Sequence, residues 1–464
     1  MMQKYITLFL ITLMMITTLS AQQSAWRRAN GTEGIRISDI EIYYSNPDTL
    51  YASGFGLMLS TDRGENWQIV SLNPQGKHSI NTAAENAFSG YGTVLGIDPF
   101  NSKQLYLNHA GLPFDGNEVL MSVDGGLNWN SLFRGRCEPS PGCDSPIIEI
   151  DPFDLNTIYT SLNTNKILRS SNRGVTWDTV PTPYAFGLSS ISISPSNNNI
   201  IYLGYGSVLE IYKSTDQGQS WQLLPFPLLY QNNSPVYLAV NPHNPDTLYA
   251  AVFSYGYFPG GVYKSTDGGF TWEEKNNGLT SDDWDINAIS INFVNPDELF
   301  IGTGGGFPQA NILFRSINGG EYWDQFTNGL PDSGHVSSIV IDSEYLRIYI
   351  GVNAFNASGI YIYDEVTSVN HESVELPKEL YLSQNYPNPF NSVTIIPYIL
   401  PERAYVELSV YNILGKEIIK LVRGYQSAGT HRAELDASRL SGGIYFYVLR
   451  TETTKLVRKT VLIK

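Results

Sequence analysis

An acidic residue that could act as a general base or bind a metal ion recurs along this sequence in one fixed setting. The first copy, STDRGENW at residues 60–67, places Asp62 two positions before Gly64 and five before Trp67. A carboxylate at a tight turn can take a proton, coordinate a cation or accept hydrogen bonds from backbone amides. The same pattern, Ser-x-Asp/Asn-x-Gly-x-x-Trp, starts again at residues 122, 170, 214, 265 and 316.

Six copies favour a structural role, because a catalytic acid has no reason to recur six times. Asn172 and Asn318 replace the acid in two copies, and asparagine keeps the hydrogen-bonding oxygen but not the carboxylate chemistry. Glycine supplies the positive φ of a tight turn, and we expect the tryptophan to be buried between sheets. The structural positions of this repeat are Asp62, Gly64, Trp67, Asp124, Gly126, Trp129, Asn172, Gly174, Trp177, Asp216, Gly218, Trp221, Asp267, Gly269, Trp272, Asn318, Gly320 and Trp323.

A second repeat, a turn followed by an aromatic-bearing strand, gives an independent count of the repeated units. It occurs seven times, as in SNPDTLYA at 45–52 and DPFDLNTIYT at 151–160. The seventh unit ends at Asp364 without the serine motif, whereas AWRRANG near the N-terminus is similar to the segments that end the other motifs. A period of about 49 residues suits a four-stranded unit. The sequence predicts seven units, with the segment around Trp26 as the outer strand of the last.

The serine motifs resemble the Asp-box, or BNR, repeats of bacterial neuraminidases, sortilin ectodomains, xyloglucanases and the photosystem II assembly factor. The resemblance covers residues 25–364 and implies an all-β fold, a seven-bladed β-propeller closed by an N-terminal strand. Many short runs of Tyr, Ile and Val, separated by 41 Gly and 25 Pro in the whole chain, agree with this class. The resemblance says little about activity, because these relatives do unrelated things on one scaffold.

The N-terminus has the features of a secretory signal peptide. Lys4 is followed by an apolar run that ends at Ser20 and then by Ala21, which is the order of a basic start, an apolar stretch and a small residue. We therefore expect residues 1–21 to be removed. The propeller would then span residues 22–364, followed by an acidic linker at 365–379.

Residues 380–464 form a second unit. Alternation in VELSVYNI and IYFYVLR predicts antiparallel strands and a small Ig-like β-sandwich. The segments NYPNPFNSVTIIPYIL, VYNILGKEIIKLV and LSGGIYFYVLRTETTKLVRKTVLIK closely resemble the C-terminal sorting domain of the type IX secretion system. The resemblance implies export across the outer membrane, the type IX machinery as a partner, and a secreted or outer-cell-surface location. An accessory carbohydrate-binding sandwich is the alternative.

Charge divides along the same boundary. The chain carries −15 in total, while residues 377–464 hold 12 basic and 7 acidic residues. Residues 1–23 contribute only Lys4, so the segment between them carries −21. Such a negative body disfavours nucleic acid, whose phosphates need Lys and Arg. We expect no nucleic-acid partner, and no transmembrane segment in the mature chain.

Cys137 and Cys143 are the two cysteines of the chain. Exported proteins meet oxidising surroundings, in which paired cysteines usually form a disulfide. Metal binding is the alternative, but no histidine lies nearby and two thiolates do not fill a tetrahedral site. We expect a disulfide between the two, no metal and no cofactor.

The loops that vary from unit to unit are the candidate ligand-binding positions, because recognition usually resides in variable loops on a rigid scaffold. Aromatic side chains there could stack on sugar rings while acids and amides orient hydroxyl groups. The alternative is that these aromatics pack the loops themselves. The candidate residues are His109, Phe114, Asp115, Tyr184, Phe186, Tyr255, Tyr257, Phe258, Asp283, Trp284 and Phe355.

These observations favour an exported or cell-surface binding protein, with a glycan or protein ligand, over an enzyme. The alternative is a secreted glycoside hydrolase, sialidase- or xyloglucanase-like, that uses two carboxylates. A sialidase would need three converging arginines, and only Arg36, Arg134 and Arg136 are available on these loops. Xyloglucanases of this type usually carry two propellers, and this chain has room for one. The candidate carboxylates are Asp115, Glu118, Asp282, Asp283 and Asp285.

Overall fold

The computed structural model describes residues 25–463 of the chain apart from a set of shorter segments. These segments are 44–45, 55, 72–92, 99–100, 111–116, 135–145, 153, 155, 162–166, 184–186, 207, 229–233, 254–259, 281–282, 305–311, 343–346, 366–379, 383–384, 386–387, 389, 401–403, 427–428 and 452–453. The described elements are all β-strands, which confirms the all-β class. Within them, no helix has the length and hydropathy needed to cross a membrane.

Residues 27–364 form seven four-stranded antiparallel sheets, which we number in chain order. The first strand, β1 (Arg27–Arg28), belongs to sheet seven. Sheets one to three comprise β2 (Ile37–Ile42), β3 (Leu50–Gly54), β4 (Leu57–Ser60) and β5 (Gln68–Ser71); β6 (Thr93–Ile97), β7 (Leu105–Ala110), β8 (Asn117–Ser122) and β9 (Asn130–Arg134); and β10 (Ile148–Ile150), β11 (Ile158–Ser161), β12 (Ile167–Ser170) and β13 (Asp178–Val180).

The later sheets repeat this up-and-down order. Sheets four to six comprise β14 (Leu188–Ile193), β15 (Ile201–Tyr205), β16 (Glu210–Ser214) and β17 (Gln222–Leu224); β18 (Val236–Val240), β19 (Leu248–Val252), β20 (Gly261–Ser265) and β21 (Glu273–Glu274); and β22 (Ile286–Ile291), β23 (Leu299–Thr303), β24 (Leu313–Ser316) and β25 (Asp324–Gln325). Sheet seven comprises β26 (His335–Asp342), β27 (Arg347–Asn353), β28 (Gly359–Asp364) and, as its outermost strand, β1.

The innermost strands of the seven sheets contact one another in a circle. Each first strand touches the first strands of the two neighbouring sheets, and β26 of sheet seven touches β2 of sheet one. Second strands such as β3, β15 and β19 are buried on both faces, because each sheet packs against a sheet on either side. Outer strands such as β5 and β13 carry exposed residues. Burial of both faces explains why the second strands are continuous apolar runs in the sequence.

A tyrosine in the second strand ties each of several sheets to the next. Its ring is buried, and its hydroxyl donates to a backbone carbonyl in the serine motif of the following sheet. The pairs are Tyr106 to Arg173 at 2.9 Å, Tyr159 to Gln217 at 3.4 Å, Tyr249 to Gly319 at 3.0 Å and Tyr349 to Arg63 at 3.0 Å. The last pair joins sheet seven to sheet one.

The N-terminal segment occupies the place that a motif tryptophan holds elsewhere. The Trp26 N–H donates to the Asn328 carbonyl at 2.8 Å, as the Trp323 N–H donates to the Asn277 carbonyl at 2.9 Å. Trp26 is buried, and its indole Nε1 donates to the Phe326 carbonyl at 2.8 Å. The following strand, β1, then pairs antiparallel with β28. Residues from the two ends of the segment 26–364 therefore share one sheet.

Within each motif a network of hydrogen bonds closes the turn. In the second motif Ser122 Oγ accepts from the Gly126 N–H at 2.9 Å and donates to Asp124 Oδ1 at 2.8 Å. The same Asp124 oxygen accepts from the Asn128 N–H at 2.9 Å. That backbone bond, with the side chains of Asn128 and Ser122, lowers the pKa of Asp124 to about 2. The carboxylate is thus held ionised as an acceptor for the turn.

The motif tryptophans differ in burial, contrary to the expectation that each lies between sheets. Trp67 and Trp323 are buried. Trp129, Trp177, Trp221 and Trp272 are partly exposed.

The C-terminal unit has two sheets that share one apolar core. Its strands are β29 (Tyr381–Leu382), β30 (Val393–Leu400), β31 (Ala404–Asn412), β32 (Glu417–Gln426), β33 (Gly429–Asp436), β34 (Gly443–Arg450) and β35 (Lys455–Leu462). The sheet orders are β29-β30-β33 and β32-β31-β34-β35. Leu400 of the first sheet and Val406, Leu408 and Leu449 of the second belong to the same buried cluster.

Candidate functional site

The two ends of the seven sheets differ in the connections that they carry. The turns between first and second strands and between third and fourth strands lie at one end, which we call the box end because it holds the serine motifs. The connections between second and third strands, and from sheet to sheet, lie at the opposite end, the loop end. This follows from the antiparallel order of every sheet. The predicted ligand residues that the structure describes belong to the loop end.

Most of the predicted ligand residues lie outside the described part of the chain. These are Phe114, Asp115, Tyr184, Phe186, Tyr255, Tyr257 and Phe258, and the same holds for Asp282, Arg136, Cys137 and Cys143. His109 lies in β7, paired in register with Glu118 of β8. The proposed stacking surface and the disulfide therefore stay predictions, and Asp283, Trp284 and Phe355 are the candidates with described side chains.

Asp283 takes part in a turn at the loop end of sheet six. Its side chain is buried, and its Oδ2 accepts from the Thr280 N–H at 2.9 Å and from Thr280 Oγ1 at 2.7 Å. The Asp283 N–H in turn donates to the Thr280 carbonyl. Asp283 is therefore buried because its carboxylate holds this turn.

Trp284 and Asp285 follow this turn and lead into the innermost strand β22. Trp284 is partly exposed, and its indole Nε1 is buried with no hydrogen-bond partner among the described residues. Burial raises the pKa of Asp285. The backbone carbonyl of Asp285 accepts from the Asn287 side chain at 3.1 Å. The segment thus presents an indole donor and a carboxyl group that gains a proton more readily than usual.

Phe355 lies at the tip of the loop between β27 and β28, with 90% of its surface exposed. The loop is closed by Ser358, whose Oγ accepts from the Ala354 N–H at 3.0 Å and donates to the Ala354 carbonyl at 2.7 Å. Asn356 adopts a φ of 96°, a conformation rare for a residue with a side chain. A large ring is therefore displayed to solvent on a loop held by its own hydrogen bonds.

A polar group that sequence reasoning missed joins sheets seven and one at the loop end. Asn353 Nδ2 donates to the Ile37 carbonyl at 2.7 Å, and the Ile37 N–H donates to Asn353 Oδ1 at 2.8 Å. The ring of His335 lies 3.3 Å from Asn353 Nδ2. Burial lowers the pKa of His335, and the nearby Arg36 lowers it further. Arg36 thus lies beside a neutral histidine, and no second arginine of the predicted set joins it among the described residues.

Three carboxylates on innermost strands form a second group that the sequence analysis did not single out. Asp39 Oδ1 accepts from Ser338 Oγ at 3.0 Å and its Oδ2 from the Leu95 N–H at 3.1 Å, so it joins β26, β2 and β6. Burial raises the pKa of Asp39 to about 6, and burial with repulsion from Asp151 and Asp39 raises that of Glu149 to about 8. The pKa of Glu41 is also raised, by burial and by repulsion from Asp39 and Glu149.

These three side chains keep some solvent exposure even though the surrounding protein desolvates them. Both observations fit side chains that point towards the centre of the circle of innermost strands. The acids were hard to recognise in the sequence because they alternate with apolar residues like any strand positions. The described residues contain no group of three or more His, Cys, Asp or Glu side chains arranged to hold a metal ion.

Comparison with known proteins assigns the C-terminal unit. Residues 384–464 match the family described as the secretion system C-terminal sorting domain. This confirms the predicted type IX sorting domain, and with it export to the cell surface or the outside of the cell. The match covers the C-terminal unit and leaves the seven sheets unassigned.

The seven-sheet part is similar to curated xyloglucanases. Xyloglucanase Xgh74A of Acetivibrio thermocellus is 27% identical over 251 residues, which cover 47% of this chain and 28% of the relative. A xyloglucanase of Paenibacillus sp is 26% identical over 250 residues, covering 47% of this chain and 23% of the relative. The aligned part of the chain thus spans about a quarter of the length of these relatives.

Solved structures of two enzymes share the fold. The GH74 enzyme of Niastella koreensis superposes with a TM-score of 0.52 at 19% identity, covering 81% of this chain and 59% of that chain. The GH74 xyloglucanase from Xanthomonas campestris superposes with a TM-score of 0.53 at 16% identity, covering 73% of this chain and 53% of that chain. At such identities the likeness identifies a propeller-like fold and nothing beyond it.

Proposed function

We propose that this chain is an exported binding protein whose residues 22–364 form one closed seven-bladed β-propeller that takes a polysaccharide at its loop end. Residues 365–379 then act as a linker, and residues 380–464 as an Ig-like sandwich that directs type IX export. Closure is supported by the contact of β26 with β2, by the pairing of β1 with β28 and by the hydrogen bond from Tyr349 to Arg63.

The observation that carries the binding function is the display of Phe355 at the loop end. An almost fully exposed phenylalanine on a hydrogen-bonded loop has no packing role in the described chain. A flat apolar ring of this kind can stack on the face of a sugar. Trp284 adds a second, partly exposed aromatic ring at the same end.

Xyloglucan is the first polysaccharide to test, because the curated relatives are xyloglucanases. The experiment compares binding of the secreted chain to soluble xyloglucan with binding of two variants. Phe355→Ala is expected to weaken binding about tenfold, a loss of about 1.4 kcal/mol. Phe270→Ala, which removes a half-exposed ring at the box end, serves as the matched control and should bind like wild type. If Phe355→Ala bound xyloglucan as well as Phe270→Ala does, the ligand would not bind at the loop end.

A glycoside hydrolase is the second candidate, and the raised pKa of Asp285 favours it. A glycosidase needs one carboxyl group that stays protonated long enough to act as a general acid. The test is the release of reducing ends from xyloglucan by the wild-type chain and by Asp285→Asn. Hydrolysis that this substitution abolishes would replace the binding function by the enzymatic one. Binding without hydrolysis would retain the binding function.

A further inference from the structure

The outer face of the larger sheet in the C-terminal domain combines cations with exposed apolar groups. On β31 the side chains of Val406, Leu408 and Val410 point into the core, so the alternate residues lie on the opposite face. The register of β32, β34 and β35 places a further set of side chains beside them. We call this the cationic face; it comprises Lys420, Arg423, Arg450, Lys455 and Lys459, the acids Glu407 and Glu417, and the exposed apolar residues Ile444 and Val457.

One row across this face holds three cations and one acid. Glu407 of β31 is the register partner of both Arg423 on β32 and Arg450 on β34. Arg450 is in turn the partner of Lys455 on β35. The order across the sheet is therefore Arg423, Glu407, Arg450 and Lys455, a fixed line of charges set by backbone pairing.

The acid of this row is already engaged. Glu407 Oε1 lies 3.3 Å from Arg423 Nε and 3.7 Å from Lys420 Nζ. Among the residues that the structure describes, no carboxylate lies within salt-bridge distance of Arg450 or Lys455. Like charges directly opposite each other on a sheet are destabilising. The Arg450 guanidinium lies 6.0 Å from the centre of the Tyr411 ring, an uncharged neighbour that leaves the repulsion between Arg450 and Lys455 in place. An anionic group from outside would relieve this repulsion.

Two exposed apolar side chains lie on the same face. Val457 is 49% exposed and sits on β35 two residues after Lys455, and Ile444 is 45% exposed at the start of β34, two residues before the partner of Lys459. Exposed branched aliphatic groups beside cations suit a partner that offers carboxylates around an apolar patch.

We propose that the cationic face is the surface by which the sorting domain docks onto an acidic, partly apolar surface of a protein of the type IX export machinery. The charges stand at fixed strand spacings, which a folded protein surface can match group for group and a fluid lipid surface cannot.

The proposal is independent of the polysaccharide ligand, since it concerns residues 404–462 alone. It is tested by export of the full chain from a bacterium that has a type IX system, measured as the fraction in the medium and on the cell surface against the fraction retained in the cell. The decisive variant is Lys455→Glu. The control is Lys416→Glu, which changes the charge equally at an exposed position in the β31–β32 turn, off the cationic face.

Lys455→Glu is expected to lower the exported fraction about tenfold or more, the size of effect that reversing a charge anchor has on a protein contact. Its thermal transition should stay equal or rise, because an opposite-charge pair with Arg450 replaces a like-charge pair. Lys416→Glu should export like wild type. A drop in export without a drop in stability separates docking from a mere folding defect.

Three results would overturn the proposal. Export of Lys455→Glu at the wild-type level would show that the face is not used. An equal loss with Lys416→Glu would assign the effect to net charge. Binding of the purified chain to phosphatidylglycerol vesicles that Lys455→Glu abolishes would assign the face to lipid instead of protein.

Discussion

Within each repeated motif the serine hydroxyl is the atom that the turn is built around. Ser170 Oγ accepts from the Gly174 N–H at 2.8 Å and donates to Asn172 Oδ1 at 3.0 Å, and the serine is buried. Sequence reasoning assigned the acid, the glycine and the tryptophan as structural positions but gave the serine no role of its own. A serine looks ordinary in a loop sequence, and only the placement of the Gly174 N–H reveals it as the buried acceptor.

The third motif offers an internal comparison of two adjacent serines. Ser170→Ala leaves the buried Gly174 N–H without its acceptor, so we expect it to lower the free energy of unfolding by about 1–3 kcal/mol. Ser171→Ala removes an exposed hydroxyl and should change it by less than about 0.5 kcal/mol. Denaturant unfolding of both variants checks this, and equal stabilities would mean that the hydroxyl network does not hold the turn.

At the scale of the element, the tryptophans show that one motif serves two packing situations. Trp323 is buried with 1% of its surface exposed, and its Nε1 donates to the Lys275 carbonyl at 2.8 Å. Trp221 is partly exposed, and its Nε1 donates to the Pro181 carbonyl. The motifs STDQGQSW and SINGGEYW share the serine, the glycine and the tryptophan. The two rings contact different neighbouring segments, so their burial could not be predicted from the motif.

We expect Trp323→Ala to lower the free energy of unfolding by about 3–5 kcal/mol, because it empties a filled core site. Trp221→Ala should cost distinctly less, since part of the ring is already in contact with water. The midpoints of thermal unfolding, measured side by side, rank the two. A larger loss for Trp221→Ala would contradict the burial seen here.

The N-terminal segment makes a further prediction for the seventh sheet. Arg27 bridges sheets one and seven, because its guanidinium contacts Glu65 at 2.7 Å and Asp364 at 2.9 Å. A chain that begins at residue 33 loses this bridge, Trp26 and strand β1, so we expect its thermal midpoint to fall well below that of a chain that begins at residue 25. The two chains differ only in residues 25–32. Unchanged melting of the shorter chain would mean that the ring does not depend on β1.

At the scale of the whole molecule, two sets of carboxylates change the stability of the fold in opposite directions as the pH rises. The motif acids Asp124 and Asp267 have pKa values lowered to about 2, so their contribution is complete above about pH 4 and is lost as pH falls towards 2. Asp39 and Glu149 have pKa values raised to about 6 and about 8. Their folded forms hold protons that the unfolded chain has released, so stability falls as pH rises from about 4 to 8.

We therefore expect the thermal midpoint to be highest near pH 4 and to fall as the pH rises from there to 8. Glu149 has the higher of the two raised pKa values. Glu149→Gln removes this carboxyl group, so it should stabilise the chain at pH 8 by a few kcal/mol, on the order of the free energy that corresponds to the pKa shift. At pH 4 the variant and the wild type should melt together, because Glu149 is then protonated in both folded and unfolded forms. A wild-type midpoint that rises from pH 5 to 8, or a variant without gain at pH 8, would show that these acids are not desolvated.

Much of the architecture could be predicted because it is repeated. The serine motif and the aromatic strand each occur at a regular period, so the all-β class and the sorting domain followed from the sequence and are confirmed. The candidate site was predicted only in part. Asp283, a predicted ligand residue, holds a turn. Asn353 and His335 were not predicted, because they are recognised only by contacts between β27, β26 and β2. The contact between Asn353 and Ile37 joins residues 316 positions apart, and no local sequence pattern predicts it.

The pairing of β1 with β28 also fixes an order of events during synthesis and export. The indole of Trp26 binds a carbonyl 300 residues further along the chain, and β28 ends at Asp364. Contacts of such sequence separation form late, because the loop between the partners must close first. Until β28 has been made, every partial chain has no strand partner for β1 and no completed sheet seven to pack against sheet one. The ring can therefore close only as the last step, after the whole propeller sequence has been released into one compartment.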